Sequence, residues 1–459
     1  MAEAARARGN EPRVAVVGGG WSGCAAAVTL AAAGASVTLF EQARTLGGRA
    51  RRVAFDGCAL DNGQHLLIGA YERTLELVGL VHGADRTRAL FTRLPLTLRP
   101  FGSGTSDEVA LTAWRVPAPF HLLGAILSAR GLDWADRRAL IADFRRLARA
   151  GFRCPERQTV ADCFARTPRR AFDALWAPLC LAALNTAPAT ASAQVFANVL
   201  RAALAGSALA SDIIIPAIDL SACFPEPASR FVEERGGVVR TGATVRSVTA
   251  GEGAVALELA TGEETFSAAI VAVGPHQLAT TLGEEAARDS AWRAALAQVR
   301  GLAYESITTI YVAFPGRVPL DAPLLRLAGG PGQWVFDRSV ALAGNRASGA
   351  ASLLAVVISA GGPHDALDHP TLARDAETQL RRLAPGLGPA AWSRVVAEKR
   401  ATYACTPALA RPSHGRVAAG VYLAGDYTDA EYPATLEAAV RSGIAAARAL
   451  LADRGTGLR

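Results

Sequence analysis

The most constraining feature of the chain is a glycine-rich turn between a strand and a helix near its start. The apolar run 14–17 is followed by glycines in the spacing G-x-G-x-x-G and then by an alanine-rich helical segment. In a βαβ unit, Gly18 permits the tight turn, Gly20 lets the backbone approach a pyrophosphate, and Gly23 allows close packing of helix on strand. The pyrophosphate lies at the helix N-terminus, where unpaired N–H groups favour an anion. The residues predicted to form this dinucleotide site are Gly18, Gly19, Gly20, Ser22 and Gly23.

The sequence after this unit indicates which dinucleotide is bound. Glu41 ends the second predicted strand about twenty residues further on, where an acid can accept hydrogen bonds from ribose hydroxyls. A domain of the NAD type would continue with further βαβ units, whereas this chain runs directly into Leu46-Gly47-Gly48-Arg49. Two adjacent glycines let the backbone pass close to a ligand, and Arg49 offers a planar donor for a phosphate or a flavin carbonyl. The pattern favours FAD, with Gly48 and Arg49 among its contacts, over an ordinary loop with a surface arginine.

A second glycine turn lies near the other end of the chain. The short apolar segment 421–424 precedes Gly425 and Asp426, and a predicted helix begins near Thr435 and Leu436. The N-terminal amides of that helix would point at the flavin N1/O2 edge, where the reduced flavin carries negative charge. Asp426 would accept a hydrogen bond from a ribityl hydroxyl. We therefore expect a non-covalent FAD held by both ends of the chain; the alternative is a docking helix capped by the aspartate.

Helical and strand patterns alternate along the rest of the chain, and 459 residues are enough for two to three domains. Helical periodicity dominates residues 132–209, and strand patterns follow at 236–248, 255–259, 266–273, 308–314 and 353–359. The predicted fold class is α/β, a Rossmann-like FAD-binding domain with an inserted α+β substrate domain. The FAD-binding domain is assigned residues 12–75, 215–275 and 395–455. The substrate domain is assigned residues 76–214, which are mainly helical, and 276–394.

Composition and charge exclude several classes of function. The seven cysteines form no C-x-x-C pair and the histidines show no metal-ligand spacing, so we expect reduced thiols and no metal site. No basic run is interleaved with aromatic residues, which argues against nucleic-acid binding. The net charge of +7 comes almost wholly from arginine, since Lys399 is the only lysine, and a basic surface favours anionic lipid. Residues 1–13 contain no apolar secretory signal, so we expect a cytoplasmic location, with peripheral contact to the inner face of the plasma membrane as an open option.

The most lipid-like stretch is residues 116–132, whose apolar members include Phe120, Leu123 and Leu127. Prolines and Arg130 interrupt or bound this stretch. A helix of some fifteen residues reaches about 22 Å, against roughly 30 Å for a hydrocarbon core, so it is too short to span a bilayer. Three interpretations stay open: a shallow membrane-dipping element, a lid over an apolar pocket, and an ordinary core helix.

Several motifs together resemble a known family. The segments GGGWSG, LGGR, GGVVRTGATV, LAGDYT and PATLEAAVRSG resemble the FAD-dependent amine oxidase and phytoene desaturase superfamily, a resemblance that places Val245 at the cofactor. Further segments resemble the hydroxysqualene dehydroxylase family of bacterial hopanoid synthesis; they are DNGQHLLIGAY (61–71), WAPL (176–179), AALNT (182–186), QWVF (333–336), VVISA (356–360) and ATYACTP (401–407). The resemblance covers nearly the whole chain. One departure is Gln333, where a glutamate is expected in this family, and an amide cannot act as an acid.

The resemblance implies a reaction on a polyprenyl substrate, the reductive removal of the hydroxyl group of hydroxysqualene to give squalene. Protonation of the allylic hydroxyl and loss of water leave a delocalised cation, and reduced FAD delivers a hydride to it. Such a reaction needs a long apolar pocket, a proton donor beside the alcohol, and exclusion of water. The upstream squalene-synthase-like enzymes are candidate protein partners.

Two residues of the DNGQHLL motif, which the resemblance places near the flavin, are candidate proton donors. His65 is the first, because imidazolium titrates near neutrality as a general acid must; its alternative is a structural hydrogen bond. Asp61 is the second, and its alternative is to form a turn with Asn62 and Gly63.

Four residues are candidate substrate contacts. Asn185 and Thr186 would hydrogen-bond the substrate hydroxyl, or else cap the end of a helix. Trp176 and Trp334 would line the pocket, where aromatic faces stabilise a cation, or else belong to the core.

Three other functions stay open. A carotenoid-type desaturase or isomerase would run similar chemistry on another polyprene. An amine oxidase is disfavoured because the sequence contains no recognisable amine-binding aromatic cage. A flavin-free lipid carrier is disfavoured because both glycine turns predicted to bind FAD are intact. The electron donor is open too, because segment 329–332 lacks the rest of a second dinucleotide fingerprint.

Overall fold

The computed structural model describes residues 13–55, 58–102, 108–282, 290–342 and 349–455. Its strands, in chain order, are β1 (Arg13–Val17), β2 (Ser36–Glu41), β3 (Arg52–Phe55), β4 (Cys58–Asp61), β5 (Leu67–Ile68), β6 (Phe91–Leu94), β7 (Thr97–Leu98), β8 (Leu111–Thr112), β9 (Ile213–Pro216), β10 (Val238–Thr241), β11 (Val245–Ala250), β12 (Val255–Leu259), β13 (Gly262–Phe266), β14 (Ala268–Val271), β15 (Tyr304–Phe314), β16 (Leu324–Arg326), β17 (Trp334–Asp337), β18 (Ser352–Ser359), β19 (Trp392–Tyr403), β20 (Gly415–Ala418) and β21 (Val421–Leu423).

The helices, in chain order, are α1 (Trp21–Ala32), α2 (Glu72–His82), α3 (Ala84–Thr87), α4 (Phe120–Ser128), α5 (Trp134–Arg149), α6 (Val160–Cys163), α7 (Arg169–Ala171), α8 (Ala177–Leu184), α9 (Ala193–Leu204), α10 (Leu220–Cys223), α11 (Pro225–Glu233), α12 (Pro275–Leu282), α13 (Ser290–Arg300), α14 (His369–Leu383) and α15 (Leu436–Asp453). A π-helical turn, Phe172–Trp176, joins α7 to α8. Among the residues described, no helix combines the length and the apolar character needed to cross a membrane.

A six-stranded sheet is built from both ends of the chain. Its strand order is β10-β2-β1-β14-β21-β20, and all neighbours run parallel except β20 and β21. Strands covered on both faces read as continuous apolar runs, and β1 is buried from Val14 through Val17. Helices α1 and α15 share a core with this sheet. They approach so closely that a Cβ on Gly443 would lie 2.1 Å from the Ser22 carbonyl oxygen, so only glycine fits there.

A five-stranded antiparallel sheet comes from the second half of the chain. Its order is β16-β17-β18-β15-β19, and β15 pairs with both β18 and β19 along most of its length. Helix α14 covers one face, where Leu372, Ala376 and Leu380 pack with the sheet residues Ile310 and Val356. Helices α4 to α9 form a helical block, whose buried residues share one core with β15 and with β9 of the smaller sheet β5-β9-β6.

The α/β fold with a Rossmann-like parallel sheet is confirmed. Several predicted bounds of domains, strands and helices differ from those in the structure. The boundary predicted at residue 395 falls inside β19, which pairs with β15 as far as Tyr403. The predicted strand 266–273 is two strands separated at Ser267. The stretch 116–132 yields only the nine-residue helix α4. The remaining domain boundaries stay a prediction.

Candidate active site

The turn after β1 opens into a cavity of about 1210 Å³, and Gly18 and Gly20 lie on its wall. Gly18 has φ +105°, and a Cβ there would lie 2.6 Å from the carbonyl oxygen of Ala272. A Cβ on Gly23 would lie 1.8 Å from the carbonyl oxygen of Gly18, so the helix can begin there only with glycine. A Cβ on Gly20 would meet nothing within 4 Å, because it would extend into the cavity. Two of the glycines therefore form the turn, and the third leaves room for a ligand.

Glu41 is fixed by the backbone around it. One carboxylate oxygen accepts a hydrogen bond from the Gly19 N–H at 2.7 Å, and the other accepts one from the Ala43 N–H at 2.7 Å. The predicted contact of Gly19 with the cofactor is corrected accordingly: its N–H is already used, and Gly19 is not on the cavity wall. Its role is to hold Glu41, which does lie on the wall.

Ser22 lies at the start of α1, where the backbone N–H groups of a helix favour an anion. Its Oγ is buried, faces no hydrogen-bond partner in the described part of the chain, and belongs to a residue on the cavity wall. A buried hydroxyl normally has a partner. A ligand phosphate at this helix end would supply one, so the turn fits the pyrophosphate of FAD.

Arg49 and Asp426 also lie on the cavity wall, but they bind each other. Arg49 Nη2 donates to Asp426 Oδ2 at 2.7 Å, and Arg49 Nη1 donates to the carbonyl oxygen of Ala401 at 2.7 Å. The sequence predicted a direct phosphate or flavin contact for Arg49 and a ribityl contact for Asp426. In the structure this pair joins the LGGR loop to the Gly425 turn, so Arg49 reaches a ligand only with donors that these two partners leave over.

The N-terminus of α15 faces the same cavity, with Thr435 and Leu436 on the wall. Thr435 caps the helix, because its Oγ1 accepts a hydrogen bond from the Ala438 N–H at 3.1 Å. Gly425, Val245 and Gly48 lie on the wall as well, and Gly48 has φ +59°, where a Cβ would lie 3.2 Å from the Gly20 Cα. Residues from both ends of the chain thus line one cavity.

The far half of the cavity is apolar. Its wall is formed by β7, α8, α9, β9 and β17, and representative residues are Leu96, Leu179, Phe196, Leu200, Ile213 and Trp334. Ordinary ligand pockets measure roughly 300 to 1,000 Å³, so a cavity of about 1210 Å³ is larger than is usual for a single small ligand.

His65 also lies on the cavity wall. Its Nδ1 is 2.8 Å from the carbonyl oxygen of Gly63, and because a carbonyl only accepts, Nδ1 carries the proton. The nitrogen left for a ligand is Nε2. Burial lowers the pKa of His65 below its usual 6.5. The imidazole is therefore mainly neutral at pH 7, and Nε2 then accepts a hydrogen bond rather than donating one.

Asp61 is not on the cavity wall. One carboxylate oxygen accepts a hydrogen bond from the Leu220 N–H at 2.8 Å, and the other lies 3.5 Å from Arg338 Nη2. Burial raises the pKa of Asp61 to about 6. The predicted role of Asp61 as a proton donor is corrected: its carboxylate is bound to the start of α10 and to a buried arginine, away from the cavity wall.

Asn185 and Thr186 hold chain segments together. Asn185 ends α8 with φ 47°, its amide group donates to the Ser306 carbonyl at 3.1 Å and to Thr402 Oγ1 at 3.0 Å, and its Oδ1 accepts from the Ala360 N–H at 2.6 Å. Both amide hydrogens are used, although Asn185 is on the wall. Thr186 is off the wall, and its Oγ1 donates to the Leu184 carbonyl and accepts from the Cys405 N–H, each at 3.0 Å. Neither the Thr186 hydroxyl nor the Asn185 amide has a hydrogen left to donate to a substrate.

The two candidate tryptophans differ. Trp176 is fully buried, stacks on Phe164 with ring centroids 4.8 Å apart, and donates from Nε1 to Asp143 Oδ2 at 3.0 Å. It is off the cavity wall, so its predicted contact with substrate is corrected to a core role. Trp334 is on the wall. The neighbouring Gln333 is bound on both sides of its amide by the backbone of Ser359.

Sequence reasoning missed two residues of the DNGQHLLIGAY motif. Gln64 lies on the cavity wall with a buried Oε1 that accepts no hydrogen bond from the described residues. Tyr71 also lies on the wall, as does Thr435 at the start of α15. Burial raises the pKa of Tyr71, so its phenol stays protonated. The motif itself was the available signal, but the sequence alone could not tell which of its side chains face the cavity.

Comparison with known proteins gives a consistent result. A family model described as flavin-containing amine oxidoreductase matches residues 21–451. A hydroxysqualene dehydroxylase of Rhodopseudomonas palustris is 31% identical over 96% of this chain and 98% of that protein. A zeta-carotene desaturase of Synechocystis is 25% identical over 96% of this chain and 98% of that protein. The solved structure of cyclohexylamine oxidase from Brevibacterium oxydans superposes with a TM-score of 0.66 at 17% identity, covering 97% of this chain and 100% of that one.

Proposed function

The chain belongs to the family of flavin-containing amine oxidoreductases and is an FAD-dependent oxidoreductase, and from that premise we propose that it removes the hydroxyl group of hydroxysqualene reductively to give squalene. The observation that carries the proposal is a single cavity in which the dinucleotide turn and a long apolar wall meet. The full-length similarity to a hydroxysqualene dehydroxylase supports this choice of substrate.

The reaction balances as R–OH plus a hydride and a proton, giving R–H and water. Reduced FAD, when bound, supplies the hydride. The chain supplies the remaining requirements. The Gly18–Gly20 turn and the α15 N-terminus would hold the cofactor, and the α15 amides would stabilise negative charge on it. The apolar wall keeps water away from the allylic cation.

We assign the substrate hydroxyl to Gln64 and His65. Gln64 Oε1 is a buried acceptor without a partner in the described part of the chain, so it can accept the hydrogen of the hydroxyl group. His65 in its cationic form can place a proton on the hydroxyl oxygen from Nε2, because Nδ1 is held by the Gly63 carbonyl. The low pKa of His65 makes that cationic form a minor species at pH 7, so the rate should rise as the pH falls.

We propose that FAD is bound without a covalent link. Attachment through a cysteine would need a thiol at the cavity, and no described residue of the wall is a cysteine. We also propose that the protein is cytoplasmic, contacts a membrane peripherally and receives substrate from the enzymes that make hydroxysqualene, because its proposed substrate is an apolar polyprene.

A second candidate function is desaturation of a carotenoid-type polyprene. The same cavity would hold such a substrate, and the full-length similarity to a zeta-carotene desaturase supports this possibility at lower identity. In that reaction oxidised FAD would gain a hydride from the substrate, so the direction of electron flow separates the two functions.

The product separates them experimentally. Purified enzyme is incubated without oxygen with excess chemically reduced FAD and hydroxysqualene, and the extract is examined for squalene by mass spectrometry. We expect squalene in amounts that grow with enzyme concentration and that vanish when Gly20→Val protein is used. Absence of squalene, together with reduction of oxidised FAD by a carotenoid precursor, would overturn the proposal in favour of a desaturase.

A further inference from the structure

An apolar patch stands on the surface around α4. Three of its apolar residues are strongly exposed to solvent: the exposed fraction is 50% for Trp114, 60% for Phe120 and 38% for Leu127. They surround a groove of about 360 Å³. The residues of this α4 patch are Trp114, Val116, Phe120, Leu123, Gly124 and Leu127. A contiguous apolar surface of this kind marks a site of interaction with another molecule.

The patch is rigidly built. The indole ring of Trp114 lies directly against Gly124, where a Cβ would approach the ring to 2.2 Å, and its Nε1 donates to Ser128 Oγ at 3.1 Å. The opposite face of the helix is buried through Leu122 and Ile126. Because that inner face already packs in the core, the outward apolar side chains are available for a partner outside the protein.

Arginines accompany the patch. Arg115 Nη1 lies 2.7 Å from Asp212 Oδ1, and Arg93 Nε lies 3.1 Å from Asp212 Oδ2. Asp212 is buried, while the two arginine side chains keep 52% and 43% of their surface. One buried carboxylate shared by two half-exposed guanidinium groups leaves net positive charge at the surface. Arg130, just beyond the end of α4, is exposed as well.

The patch lies over the wall of the cavity. The Ala113 N–H donates to the Leu96 carbonyl at 2.8 Å, and Leu96 is on the cavity wall. Ser211 and Ile213, on either side of Asp212, are on the wall too. The α4 patch is thus separated from the apolar half of the cavity by little more than one pair of short strands.

From these contacts we propose that the α4 patch binds the surface of an anionic phospholipid bilayer. Aromatic and aliphatic side chains beside arginines match the interfacial region of such a bilayer. Helix α4 has nine residues and is about 14 Å long, so it lies within one leaflet and does not cross the membrane. The further step, that an apolar substrate passes from this leaflet into the adjacent cavity, rests on the proposed function; the binding of lipid does not.

The binding is tested by sedimentation with vesicles, without substrate. Holoenzyme is mixed with vesicles of phosphatidylcholine containing a quarter phosphatidylglycerol, and with vesicles of phosphatidylcholine alone. The patch variant carries Phe120→Ser and Leu127→Ser. The control carries Leu80→Ser and Leu367→Ser, two side chains of similar exposure (48% and 42%) outside the patch. Flavin content shows that each variant is folded.

We expect the wild type and the control to bind the anionic vesicles, and the patch variant to bind at least about tenfold more weakly. Arg130→Gln should weaken binding about fivefold on anionic vesicles and leave binding to phosphatidylcholine unchanged. The proposal is overturned if the wild type does not sediment, or if the patch variant sediments like the control. It is also overturned if the patch variant changes only the oligomeric state, since the patch would then join two copies of the chain.

A second measurement separates this inference from the proposed function. Squalene formation is compared for hydroxysqualene embedded in anionic vesicles and for hydroxysqualene dispersed in detergent. The patch variant should be slower only with vesicles. If no enzyme forms squalene while vesicle binding still follows the patch, the proposed function fails and the lipid-binding surface stands. If the patch variant is equally fast in both, substrate does not pass through this surface.

Discussion

The two halves of the cavity differ in which polar groups are already bound within the protein. In the cofactor half, Glu41 and the Arg49–Asp426 pair are bound to protein groups, whereas Gly20 opens into free space and Ser22 Oγ has no partner in the described part of the chain. In the substrate half, Asn185 on the wall uses both amide hydrogens on protein partners, and Thr186, which is off the wall, uses its hydroxyl hydrogen in the same way. Residues that are characteristic of a family can therefore be the ones that shape the cavity wall. Fewer of them keep a polar group free to bind a ligand.

The DNGQHLL loop combines both situations. Within it, Asp61 is buried against Arg338 and Leu220, whereas Gln64 and His65 face the cavity. One short motif thus contains both a structural carboxylate and the two groups that we assign to the substrate hydroxyl. Variants of these residues test whether the distinction is correct.

The largest effect is expected in the cofactor half. Gly20→Val places a side chain in the space that a pyrophosphate requires, so FAD affinity should fall at least about a hundredfold and the purified protein should be colourless. The fold should survive, because a Cβ at Gly20 meets no atom within 4 Å. The control is Gly316→Val, another glycine whose Cβ would meet nothing within 4 Å, and it should keep its flavin. Equal flavin content in both proteins would contradict the placement of the cofactor.

The next effect concerns stability. Asp61→Ala leaves Arg338 buried without its carboxylate and removes the acceptor of the Leu220 N–H, which should lower the free energy of unfolding by about 3 kcal/mol. Glu76→Ala, which removes an exposed carboxylate paired with Arg73, should change it by less than about 0.5 kcal/mol. Denaturant unfolding measures both. The turnover of correctly folded Asp61→Ala protein should match the wild type, and a large loss of turnover without loss of stability would restore Asp61 as a proton donor.

His65 should show the opposite behaviour. His65→Ala should keep flavin and stability but slow dehydroxylation about a hundredfold, as expected for a lost general acid. The active form is the imidazolium, and burial lowers its pKa below 6.5. The wild-type kcat should therefore rise as the pH falls through the neutral range and level off below the lowered pKa. The Ala variant should lose this slope. A rate that rises with pH would mean that His65 acts as an acceptor only.

The smallest effects come from a matched pair of tryptophans. Trp176→Phe keeps the stacking on Phe164 but removes the hydrogen bond to Asp143, so stability should fall by about 2 kcal/mol with an unchanged KM. Trp334→Phe, on the cavity wall, should raise the KM about threefold and change stability less. Steady-state kinetics on both variants would show whether Trp334 lies on the cavity wall and Trp176 in the core. A raised KM for Trp176→Phe would contradict the core position of Trp176.

The cofactor half could be predicted from sequence because its signals are local. The strand β1, the glycine turn, α1 and β2 follow one another in the chain, and each glycine has a steric reason that a short segment reveals. The hydrogen bond from the Gly19 N–H to Glu41 was not predicted, since both residues were expected to contact the cofactor. That contact depends on how β2 lies beside the turn, which spacing alone does not specify.

The substrate half could not be predicted in the same way, because its contacts join distant segments. Trp176 is buried and donates a hydrogen bond to Asp143 on α5. Asp61 is buried and forms an ion pair with Arg338, which follows β17. The sequence identified these residues as distinctive but could not show that their polar atoms find partners inside the protein. The apolar stretch near α4 was likewise ambiguous until its outward face proved to be exposed.

The central claim is that electrons flow from reduced FAD in this cavity to the substrate. The most direct test is a single turnover without oxygen, in which enzyme with reduced flavin is mixed rapidly with hydroxysqualene. Flavin absorbance and squalene are followed in parallel. We expect the flavin to be reoxidised at the rate at which squalene appears, with one squalene formed per flavin. A flavin that stays reduced in the presence of hydroxysqualene would contradict it.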